Sequence, residues 1–325
     1  GFGYVQQSFF PDSTTPQFTV DYWTTQGTHI ERTEEDLARI EEYILGSEKT
    51  GGDGDYAGLE GVKDVATMVG GGALRFMLTY APEEPNTGYG QLIVEVENFE
   101  RIASLIPEIE RFIEDEFPNA QTYARRFVLG PGGGSKIEAR FRGPDPDVLR
   151  RLSEEAKTIM RQDAQARDVR DDWRERVKVV EPVIRPASAA RLGLTRQDIS
   201  RATQRTYGGE TIDVYREGDD LIPIVARAPA AESELVDSLI DLQIWSNVAG
   251  GTVPIKQVVS GFQTEFQDAI IARRNRLPTI TPQCNEAFGN ASVVFERLRP
   301  KIEAIEVPPG YTMEWGGEYE NATLA

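Results

Sequence analysis

Apolar and polar positions in the first 130 residues follow strand and helix periodicities in turn. Residues 18–25 (FTVDYWTT) are β-branched and aromatic with partial alternation, which predicts a strand. Further strands are predicted at 62–69, 91–96 and 120–129. Two helices are predicted by apolar residues at helical spacing, namely Leu37, Ile40, Ile44 and Leu45, and then Ile102, Leu105, Ile106, Ile109 and Ile113. The order is β-α-β-β-α-β, which resembles a ferredoxin-like unit.

The same order of elements recurs after the glycine-rich run at 130–134 (GPGGG), the strongest boundary signal in the chain. The second set comprises predicted strands at 136–141, 177–184, 277–281 and 311–315, and predicted helices at 145–161 and 291–305. Residues 185–270 interrupt this set and carry two predicted hairpins, which turn at Gly218 and Gly250. The sequence therefore predicts an α+β protein with an internal duplication and one inserted module.

Composition and charge exclude several classes of protein. The chain holds 53 acidic and 35 basic residues, a net charge of -18, so nucleic acid and anionic lipid surfaces are not expected partners. No window of about 18 apolar residues without charge occurs, so we expect no transmembrane helix within these residues. The first ten residues have no basic region and are not expected to be a signal peptide. Cys284 is the only cysteine, which excludes an internal disulfide and a cysteine zinc site.

Several motifs that can carry chemistry favour structural roles here. In GPGGGSK, Ser135 rather than Gly precedes Lys136, so the phosphate-loop pattern fails and a flexible joint is predicted. Residues 51–56 (GGDGDY) resemble the start of a calcium-binding repeat, but an acidic surface turn is the better interpretation. His29, the only histidine, is expected at a helix N-terminus. Carboxylate pairs such as Glu34-Glu35 come without a nucleophile or metal signature, so we expect neither an enzyme nor a cofactor.

One loop has an unusual composition. Apolar and aromatic residues surround the glycines at 70–72, and Pro82, Pro85 and Gly88 bound the loop on the far side. The residues concerned are Met68, Phe76, Met77, Leu78 and Tyr80. One interpretation is a flexible apolar flap that adapts to varied hydrophobic ligands, because Met and aromatic side chains repack easily. The other is an extension of a strand packed into the core, and the residues alone leave both open.

Several short stretches occur in the order and spacing found in one known family. They are 9–11 (FFP), 18–20 (FTV), 27–28 (GT), 59–62 (LEGV), 86–88 (NTG), 190–199 (ARLGLTRQDI), 207–210 (YGGE), 215–219 (YREGD), 251–255 (GTVPI), 308–311 (PPGY) and 315–318 (WGGE). With these stretches the chain resembles the second large periplasmic loop of resistance-nodulation-division (RND) inner-membrane efflux transporters of the acriflavine-resistance type. The resemblance covers nearly the whole chain.

The resemblance implies that different parts of the chain form subdomains with different roles. Residues 1–130 would be one porter subdomain, 131–184 with 271–325 a second, discontinuous one, and 185–270 an inserted docking subdomain. In the family, substrates enter between the porter subdomains, and a switch loop lies where this chain has residues 70–85. The docking subdomain faces a periplasmic adaptor protein and an outer-membrane channel, and the parent transporter is a homotrimer. The chain would then be the periplasmic portion of a Gram-negative inner-membrane protein.

The resemblance also supplies candidate site residues. The candidates for the substrate cleft and switch loop are Met68, Leu74, Phe76, Met77, Leu78, Tyr80, Gln91 and Arg170, and those for docking are Tyr207, Gly208, Gly209, Tyr215 and Gly218. Multidrug members carry aromatic residues where this chain has Ala66 and Gln91, which puts the usual drug spectrum in doubt. Metal-exporting relatives use several cleft methionines, and only Met68 and Met77 lie in the corresponding segment.

Two functions of different classes follow. The first is the substrate-binding and docking portion of a proton-driven efflux pump for small hydrophobic or amphipathic compounds, with copper or silver export as a minor option. The second is an acidic binding or assembly module with no role in transport. A hydrolase that uses the carboxylate pairs ranks last, because it lacks a nucleophile and a metal signature.

Overall fold

The computed structural model of the protein describes residues 13–77, 80–127, 134–227 and 236–324. The chain divides into two compact units, one formed by Gly1–Val177 with Asp268–Ala325 and a smaller one formed by Lys178–Gln267. Within the larger unit we call residues 13–127 the first half, and residues 134–177 with 268–324 the second half. Among the described residues, no helix is both long enough and apolar enough to cross a bilayer.

The first half is built on a four-stranded antiparallel sheet. Its elements are β1 Gln17–Trp23, α1 Ile30–Leu45, α2 Ser47–Thr50, β2 Val62–Val69, β3 Tyr89–Val96, a 3-10 turn Phe99–Arg101, α3 Ile102–Glu116 and β4 Gln121–Arg126. The strand order is β2-β3-β1-β4. Val20 in β1 lies opposite Leu92 in β3 and Ala124 in β4, and all three side chains are fully buried. This order is that of a ferredoxin-like fold, as the sequence predicts.

The two long helices cover one face of this sheet with the apolar residues that the sequence pattern identified. Leu37, Ile40 and Ile44 of α1 are fully buried, and so are Ile109 and Ile113 of α3. Together with the strand residues they form one continuous hydrophobic core. His29 occupies the N-cap position of α1 without a side-chain capping bond, as expected of a residue at a helix N-terminus.

The remaining helices and strands follow in chain order. They are β5 Ile137–Arg142, α4 Pro146–Arg161, β6 Ala166–Asp171, β7 Arg176–Ile184, α5 Pro186–Arg191, α6 Arg196–Tyr207, β8 Glu210–Glu217, β9 Asp220–Ala226, a 3-10 turn Val236–Asp241, β10 Gln243–Ser246, β11 Gly251–Pro254, a 3-10 turn Ile255–Gln257, β12 Val259–Asp268, β13 Arg273–Arg274, β14 Leu277–Ile280, β15 Pro282–Glu286, α7 Ala291–Ile302, β16 Thr312–Gly317 and α8 Glu318–Leu324. The glycine run at 130–133 lies outside the described residues.

The second half repeats the topology of the first. In its sheet β16 and β15 both pair with β5, and β6 pairs with β15, all antiparallel. The order β16-β5-β15-β6 therefore matches β4-β1-β3-β2 of the first half. Helices α4 and α7 close a second core, which contains the fully buried Trp173 and Phe141. The fold class predicted from the sequence, two ferredoxin-like halves with an α+β insertion, is confirmed.

The second sheet contains strands that the sequence did not predict, among them β15, which directly follows the strand predicted at 277–281. The strand predicted at 177–184 forms as β7, but it pairs with β12 in a separate two-stranded sheet. In the second sheet, β6 occupies the position next to β15 that was expected for the strand at 177–184. The sequence did not predict β6. The pattern ARDVRD in β6 is mostly charged and its side chains are mainly half-buried, so it carries no strong strand signal.

The smaller unit has a core of its own. Helix α6 begins with a capping box, in which the Thr195 hydroxyl and the Asp198 carboxylate each bond the other residue's backbone amide. Ile199 of α6 packs with Ile244 of β10 and with Ile255 in the same buried cluster. The β8–β9 hairpin turns at Gly218, as predicted, and nearly all its residues are exposed.

The junction of β16 and α8 depends on a glycine. Gly317 has a φ of +67°, and a Cβ there would lie 2.3 Å from the carbonyl oxygen of Lys136. We expect Gly317→Ala to reduce the free energy of unfolding by about 3 kcal/mol, since backbone strain and overpacking add. Gly310→Ala is the control, because Gly310 has a φ of +87° but a Cβ there meets no described heavy atom within 4 Å. Urea unfolding of both variants measures the difference, and equal losses would contradict the role of the close contact.

Candidate functional site

The apolar loop between β2 and β3, residues 70–85, is called the 70–85 segment below. Backbone hydrogen bonds close its base, since the Gly70 amide donates to Tyr89 O at 2.8 Å and the Asn86 amide donates to Gly70 O at 3.0 Å. Further along, the Gly72 amide donates to Glu83 O at 3.4 Å. The two ends of the segment therefore lie side by side where β2 ends and β3 begins.

A buried glutamine holds the segment from the side of the sheet. Gln91 in β3 is 1% exposed, and its Oε1 accepts hydrogen bonds from the Tyr80 hydroxyl at 2.7 Å and from the Ala73 amide at 3.1 Å. Its Nε2 donates to Asp21 Oδ1 at 2.8 Å, and the Tyr89 hydroxyl donates to the same oxygen at 2.6 Å. All four hydrogen bonds lie in the protein interior, where an unpaired polar group is costly.

Burial also determines the charge partner of Asp21 and keeps the two tyrosine hydroxyls of this network protonated. Asp21 Oδ2 lies 3.4 Å from Arg125 Nη2, which supplies the positive charge that a buried carboxylate requires. Burial raises the pKa of Tyr80 and of Tyr89, so both hydroxyls remain donors at physiological pH. The sequence predicted Gln91 as a residue of the substrate cleft. The structure instead places it in the core, where it supports the 70–85 segment.

The segment presents apolar side chains on its outer side. Leu74 is 90% exposed and Phe76 is 47% exposed. The Phe76 ring stacks on Tyr80 with a centroid distance of 5.0 Å and meets the edge of Phe127 at 5.3 Å. Within the segment, Ala73 and Tyr80 are buried while Leu74 and Phe76 are exposed.

The two methionine candidates are half-buried, and one candidate cannot be placed. Met68 lies in β2 opposite Gln91, and Met77 follows Phe76 in the segment. Leu78 lies outside the described residues. Within the described part of the chain, no group of three or more His, Cys, Asp or Glu side chains has the arrangement of a metal site.

Arg174 is a residue of this region that the sequence did not single out. It follows β6 in the second half, yet its guanidinium carbon lies 3.5 Å from the centroid of a Trp23 ring in β1. Its Nη2 lies 2.6 Å from Oε1 of Glu83 in the 70–85 segment. The run DDWRER is unremarkable in an Arg-rich chain, so only the fold shows that Arg174 reaches the segment.

Arg170, which the sequence did single out, contacts a different part of the first half. Its guanidinium carbon lies 4.3 Å from the centroid of the Tyr123 ring in β4. Its Nη2 donates to Ser135 Oγ at 3.2 Å, and its Nη1 donates to Asp168 O at 3.4 Å. The structure therefore places Arg170 between the two halves but does not bring it to the 70–85 segment in the described contacts.

A partly buried carboxylate also lies between the halves. Glu110 of α3 accepts a hydrogen bond from the Ala124 amide at 3.1 Å, and its Oε2 lies 3.2 Å from Arg167 Nη1 of β6. Burial raises the pKa of Glu110 to about 7, an effect that the Arg167 charge opposes and the Asp168 charge reinforces. Part of the contact between the halves therefore titrates near neutral pH.

The docking candidates lie in the smaller unit. Helix α6 ends at Tyr207, and Gly208 and Gly209 lead into β8. Gly209 has a φ of +79° and Gly218 a φ of +61° at the hairpin turn, conformations that favour glycine. Tyr215 on the hairpin is 57% exposed. These residues form a glycine-bounded hairpin with a largely exposed surface.

Comparison with known proteins identifies the family. The profile of the AcrB/AcrD/AcrF family matches residues 1–325, the full length of the chain. The chain belongs to the AcrB/AcrD/AcrF family. The resemblance inferred from the sequence motifs is thereby confirmed.

Individual relatives in this family are distant. The nickel and cobalt resistance protein CnrA of Cupriavidus metallidurans is 23% identical over 201 residues, which cover 60% of this chain and 18% of that protein. The cation efflux system protein CzcA of an Alcaligenes species is 22% identical over 259 residues, covering 75% of this chain and 24% of that protein. The chain thus spans about a fifth to a quarter of the length of these relatives.

A solved structure shares the fold. The crystal structure of a heavy metal efflux pump matches with a TM-score of 0.77 at 17% identity, covering 99% of this chain and 33% of that one. That structure therefore shares the fold of this chain, two ferredoxin-like halves with an inserted α+β unit.

We expect Gln91→Leu to destabilise the protein and to loosen the 70–85 segment. The substitution removes the partners of the Ala73 amide and the Tyr80 hydroxyl and one partner of Asp21, at a cost of about 3 kcal/mol. Urea unfolding measures the loss. Gln121→Leu, at an exposed position of β4, is the control and should change stability by less than about 0.5 kcal/mol. Equal effects of the two substitutions would contradict the supporting role of Gln91.

We expect Glu110 to lower stability as pH rises. Its folded pKa of about 7 lies above the usual glutamate pKa of 4.5, so the folded state binds more protons between those two pH values. Stability should therefore fall by about 3 kcal/mol across that window through this group alone. Glu110→Gln should remove that part of the pH dependence, as measured by urea unfolding from pH 4 to 8. Glu108→Gln, exposed on the same helix, should retain the wild-type slope, and an unchanged slope in Glu110→Gln would refute the assignment.

Proposed function

We propose that this chain is the periplasmic substrate-binding and docking portion of a proton-driven RND efflux pump of the inner membrane. The family assignment supports a role in transport and does not favour a binding module unrelated to transport. The chain binds and releases cargo and carries out no covalent chemistry. The parent protein works with a periplasmic adaptor and an outer-membrane channel, and it assembles as a homotrimer.

The proposed substrates are small hydrophobic or amphipathic compounds. The observation that carries this proposal is the exposure of Leu74 and Phe76 on a segment whose base is held by buried hydrogen bonds. An exposed apolar surface on a fixed support gains free energy when a ligand covers it. Stacking of Phe76 on Tyr80 keeps its ring in place, so little side-chain entropy is lost on binding.

A second candidate substrate class is divalent transition-metal ions. The relatives named for nickel, cobalt, cadmium and zinc resistance support it, as does the heavy metal efflux pump of the same fold. Met68 and Met77 offer thioether ligands, which suit Cu(I) better than these harder ions. Calorimetric titration of the chain with Ni²⁺, Zn²⁺ and Cu(I) distinguishes the two classes, since saturable metal binding without dye binding would favour metal export.

Dye binding to the 325-residue chain tests the hydrophobic proposal. We expect Phe76→Ala to weaken binding of a hydrophobic fluorescent dye about fivefold, because roughly 1 kcal/mol of contact with a half-exposed ring is lost. Fluorescence titration gives the dissociation constants. Phe288→Ala is the matched control, since Phe288 is 65% exposed and lies in the second half. Identical affinities for wild type and Phe76→Ala would remove the segment from the ligand path.

A further inference from the structure

Arg174 is held firmly by the second half. It has a φ of +57°, a left-handed conformation that is strained for a residue with a Cβ. Its carbonyl oxygen accepts a hydrogen bond from Arg150 Nη1 at 2.8 Å. The preceding residue, Trp173, is fully buried, and its indole Nε1 donates to Thr279 O at 2.7 Å. The backbone of Arg174 is therefore fixed by the core of the second half.

The side chain of Arg174 makes its contacts with the first half. The guanidinium lies over Trp23, whose ring packs in turn against Tyr89 with a centroid distance of 4.2 Å. The same guanidinium forms the ion pair with Glu83. One planar cation thus joins an aromatic residue of the first sheet to a carboxylate of the 70–85 segment, a combination that suits Arg better than Lys.

Glu83 links the Arg174 contact to the rest of the segment through its backbone. Its carbonyl oxygen accepts the Gly72 amide, so the two limbs of the segment meet at this residue. A Cβ at Gly72 would lie 2.8 Å from the Glu83 amide nitrogen, which shows how closely the limbs approach. A side chain that fixes Glu83 therefore restrains the limb that leads to Leu74 and Phe76.

We propose that Arg174 is a positioning residue that holds the 70–85 segment in place only while the two halves are in contact. The inference rests on the proposed substrate-binding role of the segment. Separation of the halves breaks both Arg174 contacts at once and leaves the segment with only its contacts within the first half, namely the Gln91 hydrogen bonds, the Phe76–Phe127 contact and the backbone hydrogen bonds at its base. When the second half moves away, the part of the segment that carries Leu74 and Phe76 becomes more mobile. Such a link gives the two arrangements different ligand affinities.

Hydrogen exchange of the 325-residue chain tests the proposal without any ligand. A partly exposed ion pair and a cation–π contact together shift a local opening equilibrium by about tenfold. We therefore expect Arg174→Ala to speed exchange of the amides at 71–77, 80–81 and 83–84 about tenfold, with amides of β5 unchanged. Arg174→Lys, which keeps the charge but loses the planar stacking, should lie between wild type and Arg174→Ala.

Two further variants serve as a control and as an alternative in the hydrogen-exchange experiment. Arg176→Ala is the matched control, because Arg176 pairs with Asp147 and Asp268 within the second half, and it should leave exchange of the segment unchanged. Glu83→Gln removes only the ion pair and serves if Arg174→Ala fails to fold. We expect it to speed exchange of the segment about threefold, and to add little in the presence of Arg174→Ala.

Unchanged exchange of the segment in Arg174→Ala and Glu83→Gln would overturn the proposal, and so would faster exchange spread evenly over the chain. The dye titration of wild type and Phe76→Ala reports on the substrate role separately. Loss of dye binding by Phe76→Ala with no exchange effect of Arg174→Ala would refute the positioning role alone. An exchange effect without dye binding would refute the substrate class and leave the positioning role in place.

Discussion

The carboxylate of Asp21 lies in the middle of the first sheet, and a buried carboxylate must be paired with donors or with positive charge. Tyr89, Gln91 and Arg125 meet this requirement together. Because the Gln91 amide nitrogen is committed to Asp21, its oxygen faces Tyr80 and Ala73. The position of the 70–85 segment thus follows from a charge in the sheet, and the exposure of Leu74 and Phe76 follows from that position.

The two halves share a topology but meet through polar side chains. Arg167 contacts Glu110, Arg174 contacts Glu83, and Asn285 Nδ2 donates to the Tyr123 hydroxyl at 3.0 Å. Each half keeps its own apolar core, so these contacts can break without exposing either core. Contacts of this polar kind are typical of domains that move relative to one another. The duplication thus provides two separately packed halves joined by polar contacts, which the positioning role proposed for Arg174 requires.

The sequence predicted those elements in which local pattern and burial agree. The apolar stripe of α3 determines which face of that helix is buried, and the β-branched and aromatic residues of β1 form a central strand whose five middle residues are all buried. The strand β6 was missed, because its charged residues become strand only by pairing with β15. The smaller unit likewise contains β12, a largely polar strand that is defined by its pairing with β7.

In the candidate site, too, the sequence could not predict features that depend on contacts between distant parts of the chain. The apolar composition of the 70–85 segment was visible in the sequence, but the exposure of its individual residues was not. Gln91 was assigned to the cleft by the family resemblance. Its partners Asp21 and Tyr80 lie 70 and 11 residues away, so only the fold shows that it is buried among them. Arg174 carried no signal, since its role depends on Trp23 in the other half.

Ligand binding on the outer side of the 70–85 segment, as proposed above, is tested most directly by hydrogen exchange of the chain with and without a saturating hydrophobic ligand. We expect slower exchange of the amides at 71–77 in the presence of ligand, with β5 and the β8–β9 hairpin unaffected. Protection confined to other parts of the chain, with amides at 71–77 exchanging at the same rate in both samples, would contradict it.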